Sequence, residues 1–204
     1  MFTGIVEEVG KIHSIKGEEI SIKCKKILEG SKIGDSISVS GVCLTITVIN
    51  EDSLNFQISE ETRAKTTFGI EENQSLVNLE RAATFESRIG GHNVEGHVEN
   101  TGICKSIKKI KDSTIVTFQA DSEIINNIIV KGYVSIDGTS LTVNEIDGNL
   151  FKVSLIPHTI AETTFKNIKI GQSVNIETDV NARYIRKYVE EIMEKRLNEW
   201  SNRY

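Results

Sequence analysis

Few side chains in this chain of 204 residues can do nucleophilic or acid–base chemistry near neutral pH: three cysteines (Cys24, Cys43, Cys104) and four histidines. A thiol with a lowered pKa serves as nucleophile or proton relay, and an imidazole titrates near neutrality. The cysteines are odd in number and show no CxxC spacing, so neither a disulfide framework nor a zinc site is indicated. His92 and His97 form an H-x4-H in a glycine-rich stretch, which differs from the HExxH helix of a zinc enzyme. On its own, Cys43 reads as a small strand residue alternating with Thr45 and Thr47. His97 on its own reads as a loop histidine, and Asp179 as the start of a turn or the cap of a following helix.

The elements that hold these residues occur twice. Sliding the chain against itself by 97 positions aligns residues 33–82 with 130–179 without a gap, and thirteen of the fifty pairs are identical. Gly41/Gly138, Leu44/Leu141, Thr45/Thr142, Thr62/Thr159 and the triplet Thr66-Thr67-Phe68/Thr163-Thr164-Phe165 are among them. A shift of 92 pairs GIVEEVG (4–10) with GHVENTG (96–102). The period is too long for a solenoid, so two copies of one small domain are expected. In this alignment Cys43 faces Ser140, Asp179 faces Ala82, and His97 faces Ile5. The copies therefore share a frame and differ at these three positions.

Each copy reads as β. In Val42-Cys43-Leu44-Thr45-Ile46-Thr47-Val48 the apolar residues fall at even positions, the period of a half-buried strand. Short strands broken at Gly30, Gly34-Asp35, Asn50-Glu51-Asp52 and Asp147-Gly148-Asn149 suggest antiparallel hairpins. About six strands in roughly 90 residues close best as a small barrel, which removes exposed edges. Arg88-Ile89-Gly90-Gly91-His92-Asn93 lies at the join. The expected division is 1–92, 93–180 and a helix over 181–204. In that last segment Tyr184, Ile185, Tyr188, Val189, Ile192, Met193, Leu197 and Trp200 recur at helical spacing with charges opposite. This stripe either caps its own barrel or packs against copies of itself, and its aromatic content favours the oligomer.

Composition excludes several classes. A net charge of −5 and a pI near 5.5, without a basic stripe, argue against nucleic-acid binding. No apolar run approaches a membrane span, and MFTGIVEEVG lacks the features of a signal peptide, so the expected location is the cytoplasm.

Four stretches carry a resemblance: MFTGIV at the start, SGVCLTI (40–46), GGHNVEGHV (90–98), and IDGTSLTVN (136–144) with LIPHTIAETTF (155–165). In order and spacing the chain resembles the riboflavin synthase family from Met1 to about residue 180. The resemblance implies two tandem six-stranded antiparallel Greek-key β-barrels plus a C-terminal α-helix, each barrel binding one 6,7-dimethyl-8-ribityllumazine. It implies an N-terminal pocket of Gly4, Ile5, Val6, Cys43, Thr45, Ile58, Thr62, Gly96, His97 and Val98. The C-terminal pocket would use Lys131, Ser140, Leu141, Thr142, Ile156 and Thr159, and Leu44 joins the substrate-contacting set. Cys43, His97 and Asp179 match the positions associated with activity. No cofactor and no metal is implied. The partners implied are the lumazine, two further copies in a homotrimer joined by the terminal helices, and in some settings a lumazine synthase. Some relatives of the family resemble optical antennae that bind lumazine or flavin without reacting, and these typically lack part of the reactive set.

Overall fold

The computed structural model describes residues 1–201. The first half holds β1 (Glu8–Lys16), β2 (Glu19–Lys23), β3 (Ser36–Val39), β4 (Val42–Ile49), β5 (Ser53–Gln57) and β6 (Leu76–Arg81), with α1 (Glu60–Lys65) between the last two. The second half holds β7 (Asn100–Ile110), β8 (Ser113–Gln119), β9 (Tyr133–Ile136), β10 (Thr139–Asp147), β11 (Leu150–Leu155) and β12 (Ser173–Thr178). Within it α2 (Ser122–Asn127) precedes β9 and α3 (Pro157–Glu162) follows β11. All strand pairings are antiparallel, and both sheets close in one Greek-key order, β1-β2-β5-β4-β3-β6 and its counterpart β7-β8-β11-β10-β9-β12.

Alternation drives the closure. Along β4, Val42, Leu44 and Ile46 are buried while Cys43 and Thr45 face outward. Ile20, Ile22, Phe56 and Leu79 fill the first core; Phe118, Phe151, Val143 and Ile176 fill the second. Register shifts recur at matching places, Ile12/Ser14 and Cys104/Ser106, Ile46/Val48 and Val143/Glu145. Such bulges bend a strand and let a small barrel close. The repeated Thr-Thr-Phe has a local cause. Thr66 and Thr163 each accept the N–H of Phe68 or Phe165 at 3.3 Å, opening a 3-10 turn whose phenylalanine plugs the core. Of the expected hairpin turns, those at 50–52 and 147–149 are hairpins. Gly30 and Gly34-Asp35 instead lie in the long β2–β3 connection, which the Greek-key path requires.

The barrels meet about an approximate two-fold axis. Asn78 donates through Nδ2 to the Asp137 carbonyl and accepts through Oδ1 from the Thr164 N–H, both at 2.8 Å. Asn175 makes the mirror pair with Ser40 and Thr67, also at 2.8 Å. On the axis Gly41 and Gly138 adopt positive φ, and a Cβ on Gly41 would stand 2.8 Å from the Gly138 nitrogen. Only glycine permits that approach.

After β12 the chain runs into α4 (Val180–Ser201). Its first turns are tied down by Arg183 to Glu95 at 3.4 Å and by Arg186 to the Asn127 amide oxygen at 3.0 Å. Tyr184, Ile185, Tyr188, Val189, Ile192 and Met193 are all more than half exposed, so the stripe does not cap the chain's own barrel. No helix among the described residues is long and apolar enough to cross a membrane.

Candidate functional site

Two equivalent sites form on the outer faces of the barrels, where β4 and β10 present their polar positions. Cys43 and Ser140 are half-buried at the centre of each, and Thr45 and Thr142 are exposed beside them. Each site is completed by a segment from the other half of the chain. The Cys43 N–H donates to the Gly96 carbonyl at 2.8 Å, and the Ser140 N–H donates to the Gly4 carbonyl at 2.8 Å. The glycines are demanded at both places. Gly96 has φ +79° and a Cβ there would lie 2.7 Å from Cys43 Cβ; Gly4 has φ +74° and its Cβ would lie 2.6 Å from Ser140 Cβ.

This exchange corrects the expected pockets. Gly4, and with it Ile5 and Val6, belongs beside Ser140 in the C-terminal barrel, not beside Cys43 in the N-terminal one. Gly96, His97 and Val98 do lie with the N-terminal barrel, and Val98 packs on its core. Three further side chains are re-placed. Leu44, Leu141 and Ile58 point into the barrel cores, where even-numbered β4 positions and their equivalents must go, so only their backbone can face a ligand. The duplicate of Ile156 is Ser59 rather than Ile58; both open a short helix, α3 and α1.

The crossing segments are held by two buried carboxylates. Glu177 accepts the N–H groups of Glu95, Gly96 and His97 at 2.7 Å, 2.8 Å and 2.8 Å. Glu80 accepts the Thr3 N–H and hydroxyl at 2.7 Å and 2.8 Å and the Gly4 N–H at 3.0 Å. Burial pushes both carboxyls above the usual range, against the pull of those hydrogen bonds. Sequence reading passed over them, although the identity Glu80/Glu177 in the duplication was a usable signal. Phe2 is buried and bridges to Val94, which fixes where both crossing segments start.

The remaining residues separate by site. At the Cys43 site, Thr62 stands on α1 with its hydroxyl 2.9 Å from that of Ser59. His97 is exposed, with Nδ1 3.4 Å from a Glu95 oxygen. At the Ser140 site, Thr159 lies on α3, Ile156 is exposed at its N-cap, and Lys131 is exposed with a left-handed φ of 71°. His92, which the sequence offered only as one end of H-x4-H, proves to be buried here. Its Nδ1 is 2.6 Å from Ser140 Oγ, and its ring stacks on Tyr133 at 5.0 Å. Asp179 caps α4, accepting the Asn181 N–H at 2.9 Å. Its charge also acts on His92, whose pKa is lowered by burial and partly restored by Asp179.

The three thiols are unequal. Burial, aided by the charge of Glu8, pushes Cys24 up to about 12, and burial raises Cys104 as well. Cys43 is the half-exposed thiol, on the face where a ligand can reach it. A cleft of about 920 Å3 beside β6 takes in Thr3, Ile5, Glu80, Arg81 and Ser87, but not Cys43, His97 or Ser140. Paired faces with backbone and hydroxyl groups suit a flat heterocycle bearing amide-like edges.

Comparison with known proteins fits that geometry. Residues 3–82 and 95–179 match the lumazine binding domain family, one domain for each barrel. The chain is 42% identical over 193 residues to a riboflavin synthase of Actinobacillus pleuropneumoniae, covering 93% of this chain and 90% of that one. It is 37% identical over 203 residues to a riboflavin synthase of Bacillus subtilis, covering 98% and 94%. Among solved structures, LumP complexed with riboflavin superposes with a TM-score of 0.82 at 28% identity, covering 88% of this chain and all of that one. LumP complexed with 6,7-dimethyl-8-(1'-D-ribityl) lumazine gives 0.79 at 27%, covering 88% and 99%.

Proposed function

This chain belongs to the riboflavin synthase family, and we propose that it dismutates two molecules of 6,7-dimethyl-8-ribityllumazine. A four-carbon unit passes from one lumazine to the other, giving riboflavin and 5-amino-6-(D-ribitylamino)uracil without a cofactor. The observation that carries this reading is the pair of equivalent composite sites with unequal centres, a thiol at Cys43 and a hydroxyl at Ser140. A reaction between two identical molecules in different roles needs such inequality; a protein that merely stores two ligands does not.

One lumazine loses a proton from its C7 methyl group while the other is activated at C7. Cys43 and His97, brought to one face by the Gly96 crossing, supply the thiol and the imidazole for these steps. Asp179 acts on the Ser140 side, where its charge reaches His92. Holding two rings face to face converts a bimolecular step into an intramolecular one, worth up to about 7–11 kcal/mol. The productive pair forms between the N-terminal barrel of one subunit and the C-terminal barrel of its neighbour in a homotrimer. The exposed stripe from Tyr184 to Met193 is the surface that joins the subunits. The free thiols suit a reducing, cytoplasmic setting. Docking to a lumazine synthase is the remaining partner in this reading.

The test is direct. Purified protein is mixed with the lumazine alone, and products are separated by chromatography. Riboflavin appearing at half the rate of lumazine loss is expected; tight binding with no riboflavin would make this a binding protein. Cys43→Ser and His97→Gln should cut turnover sharply with lumazine binding nearly intact, and unchanged rates in both would remove them from the mechanism. Removing residues 184–204 should lower the oligomer mass and the activity; an unchanged sedimentation profile would refute the role of the helix.

A further inference from the structure

We infer that His92 is the positioning residue of the C-terminal lumazine site, acting through the Ser140 hydroxyl. The inference rests on the reading of β10 as a lumazine-binding face. Ser140 stands at the centre of that face, its N–H spent on the Gly4 carbonyl and its Oγ 2.6 Å from His92 Nδ1. A serine hydroxyl rotates freely unless a partner fixes it. Here the imidazole takes one of the hydroxyl's hydrogen bonds and leaves the rest of its capacity for whatever lies on the face. The imidazole is itself immobilised. It is 7% exposed and stacks on Tyr133 with the planes 8° apart, and the backbone N–H of His92 donates to the Thr3 carbonyl at 3.2 Å, which anchors the residue that carries it.

The duplication sharpens the argument. The alignment sets Tyr133, on which His92 stacks, against Ser36, so where the Ser140 site has the stacking ring the Cys43 site has a serine. That site has an exposed histidine instead, His97, whose own counterpart at the Ser140 site is Ile5. The two crossing segments thus bring histidines from non-equivalent positions, and they are placed differently. Next to the thiol the imidazole is open to solvent. Next to the hydroxyl it is locked, and burial favours its neutral form, in which one ring nitrogen accepts and the other donates. A locked neutral imidazole holds a neighbour in place; it does not shuttle protons.

The experiment compares His92→Phe, which keeps the ring and the stack but loses Nδ1, with His92→Asn, which keeps a polar atom near the Nδ1 position. Both are measured alone and with Ser140→Ala, for riboflavin formation and for lumazine bound per chain. His92→Phe should lower kcat by about tenfold and weaken one of the two lumazine sites, as expected for one lost hydrogen bond at a reacting centre. His92→Asn should recover most of both, and His92→Phe should add little in a chain already carrying Ser140→Ala. Equal losses in the Phe and Asn variants, or losses that multiply with Ser140→Ala, would overturn the inference. If the wild-type protein binds lumazine but makes no riboflavin, the assignment of activity fails. The binding arm still decides the role of His92, because one weakened site upholds it and two unchanged sites refute it.

Discussion

Cys43 in the N-terminal barrel and Ser140 in the C-terminal barrel occupy one strand position, receive one crossing glycine each, and are framed by Thr45 and Thr142. Around that shared frame the chemistry diverges. The first centre has a half-exposed thiol with a solvent-facing imidazole; the second has a hydroxyl with a buried one. The divergence reaches the axis between the barrels. Ser40 and Asp137 share a left-handed turn at φ 45° and 46°, and each accepts the N–H of an interface asparagine. The serine is neutral at any pH. The aspartate is buried, and burial pushes it to about 7. Duplication has preserved what positions and varied what reacts.

The strongest way to break this comparison is to remove the shared frame. Glu177→Leu leaves three N–H donors of the 95–97 segment without a partner and should cost about 3 kcal/mol or more, read as a fall in the unfolding midpoint. Glu80→Leu should cost a similar amount at the other crossing. A large difference between the two would show that the carboxylates are not equivalent.

Gly96→Ala should follow at about 2–3 kcal/mol, from the positive φ and the overlap with Cys43. It should abolish lumazine binding at the first site and spare the second. Gly4→Ala should do the reverse. Loss of both sites in either variant would break the assignment of the crossings.

Asp137 gives a smaller, pH-dependent effect. Its folded pKa of about 7 exceeds the ordinary 3.8, so the folded chain binds more protons between those values. Its contribution to stability is therefore full below about pH 4 and is lost as pH rises toward 7, by up to about 1.4 kcal/mol per pH unit. Glu80 and Glu177 act in the same direction. Denaturant unfolding from pH 4 to 8 should show this slope flattened in Asp137→Ser, which copies the Ser40 arrangement. An unchanged slope would show that Asp137 does not titrate with folding.

Asp179→Asn should have the smallest effect on stability, under about 1 kcal/mol, because asparagine caps a helix nearly as well. Turnover should fall more than lumazine binding. Equal losses in both would leave Asp179 as a cap alone.

Much of this architecture was legible from residue order. The period-2 pattern of residues 42–48 and the thirteen duplicated identities led to two barrels, and the spacing of Tyr184, Tyr188 and Ile192 led to the helix. The exchange of crossings was not legible. An internal alignment shows that Gly4 and Gly96 are equivalent, but equivalence holds whether each segment folds onto its own barrel or onto the other. Ile58 was drawn to the pocket by its neighbours in the motif, whereas strand alternation turns it inward. His92 was hidden because its partner Ser140 is 48 residues away in the chain.

Because Gly4 completes the pocket of the second half and Gly96 that of the first, neither half closes its pocket alone. A single-barrel ancestor would have been complete only as a symmetric homodimer trading its leading segments, in the manner of a domain swap. In one chain that association is an intramolecular contact that dilution cannot undo. It also frees the pockets from symmetry: in a homodimer any substitution alters both at once, while in this chain a thiol stands in one and a hydroxyl in the other.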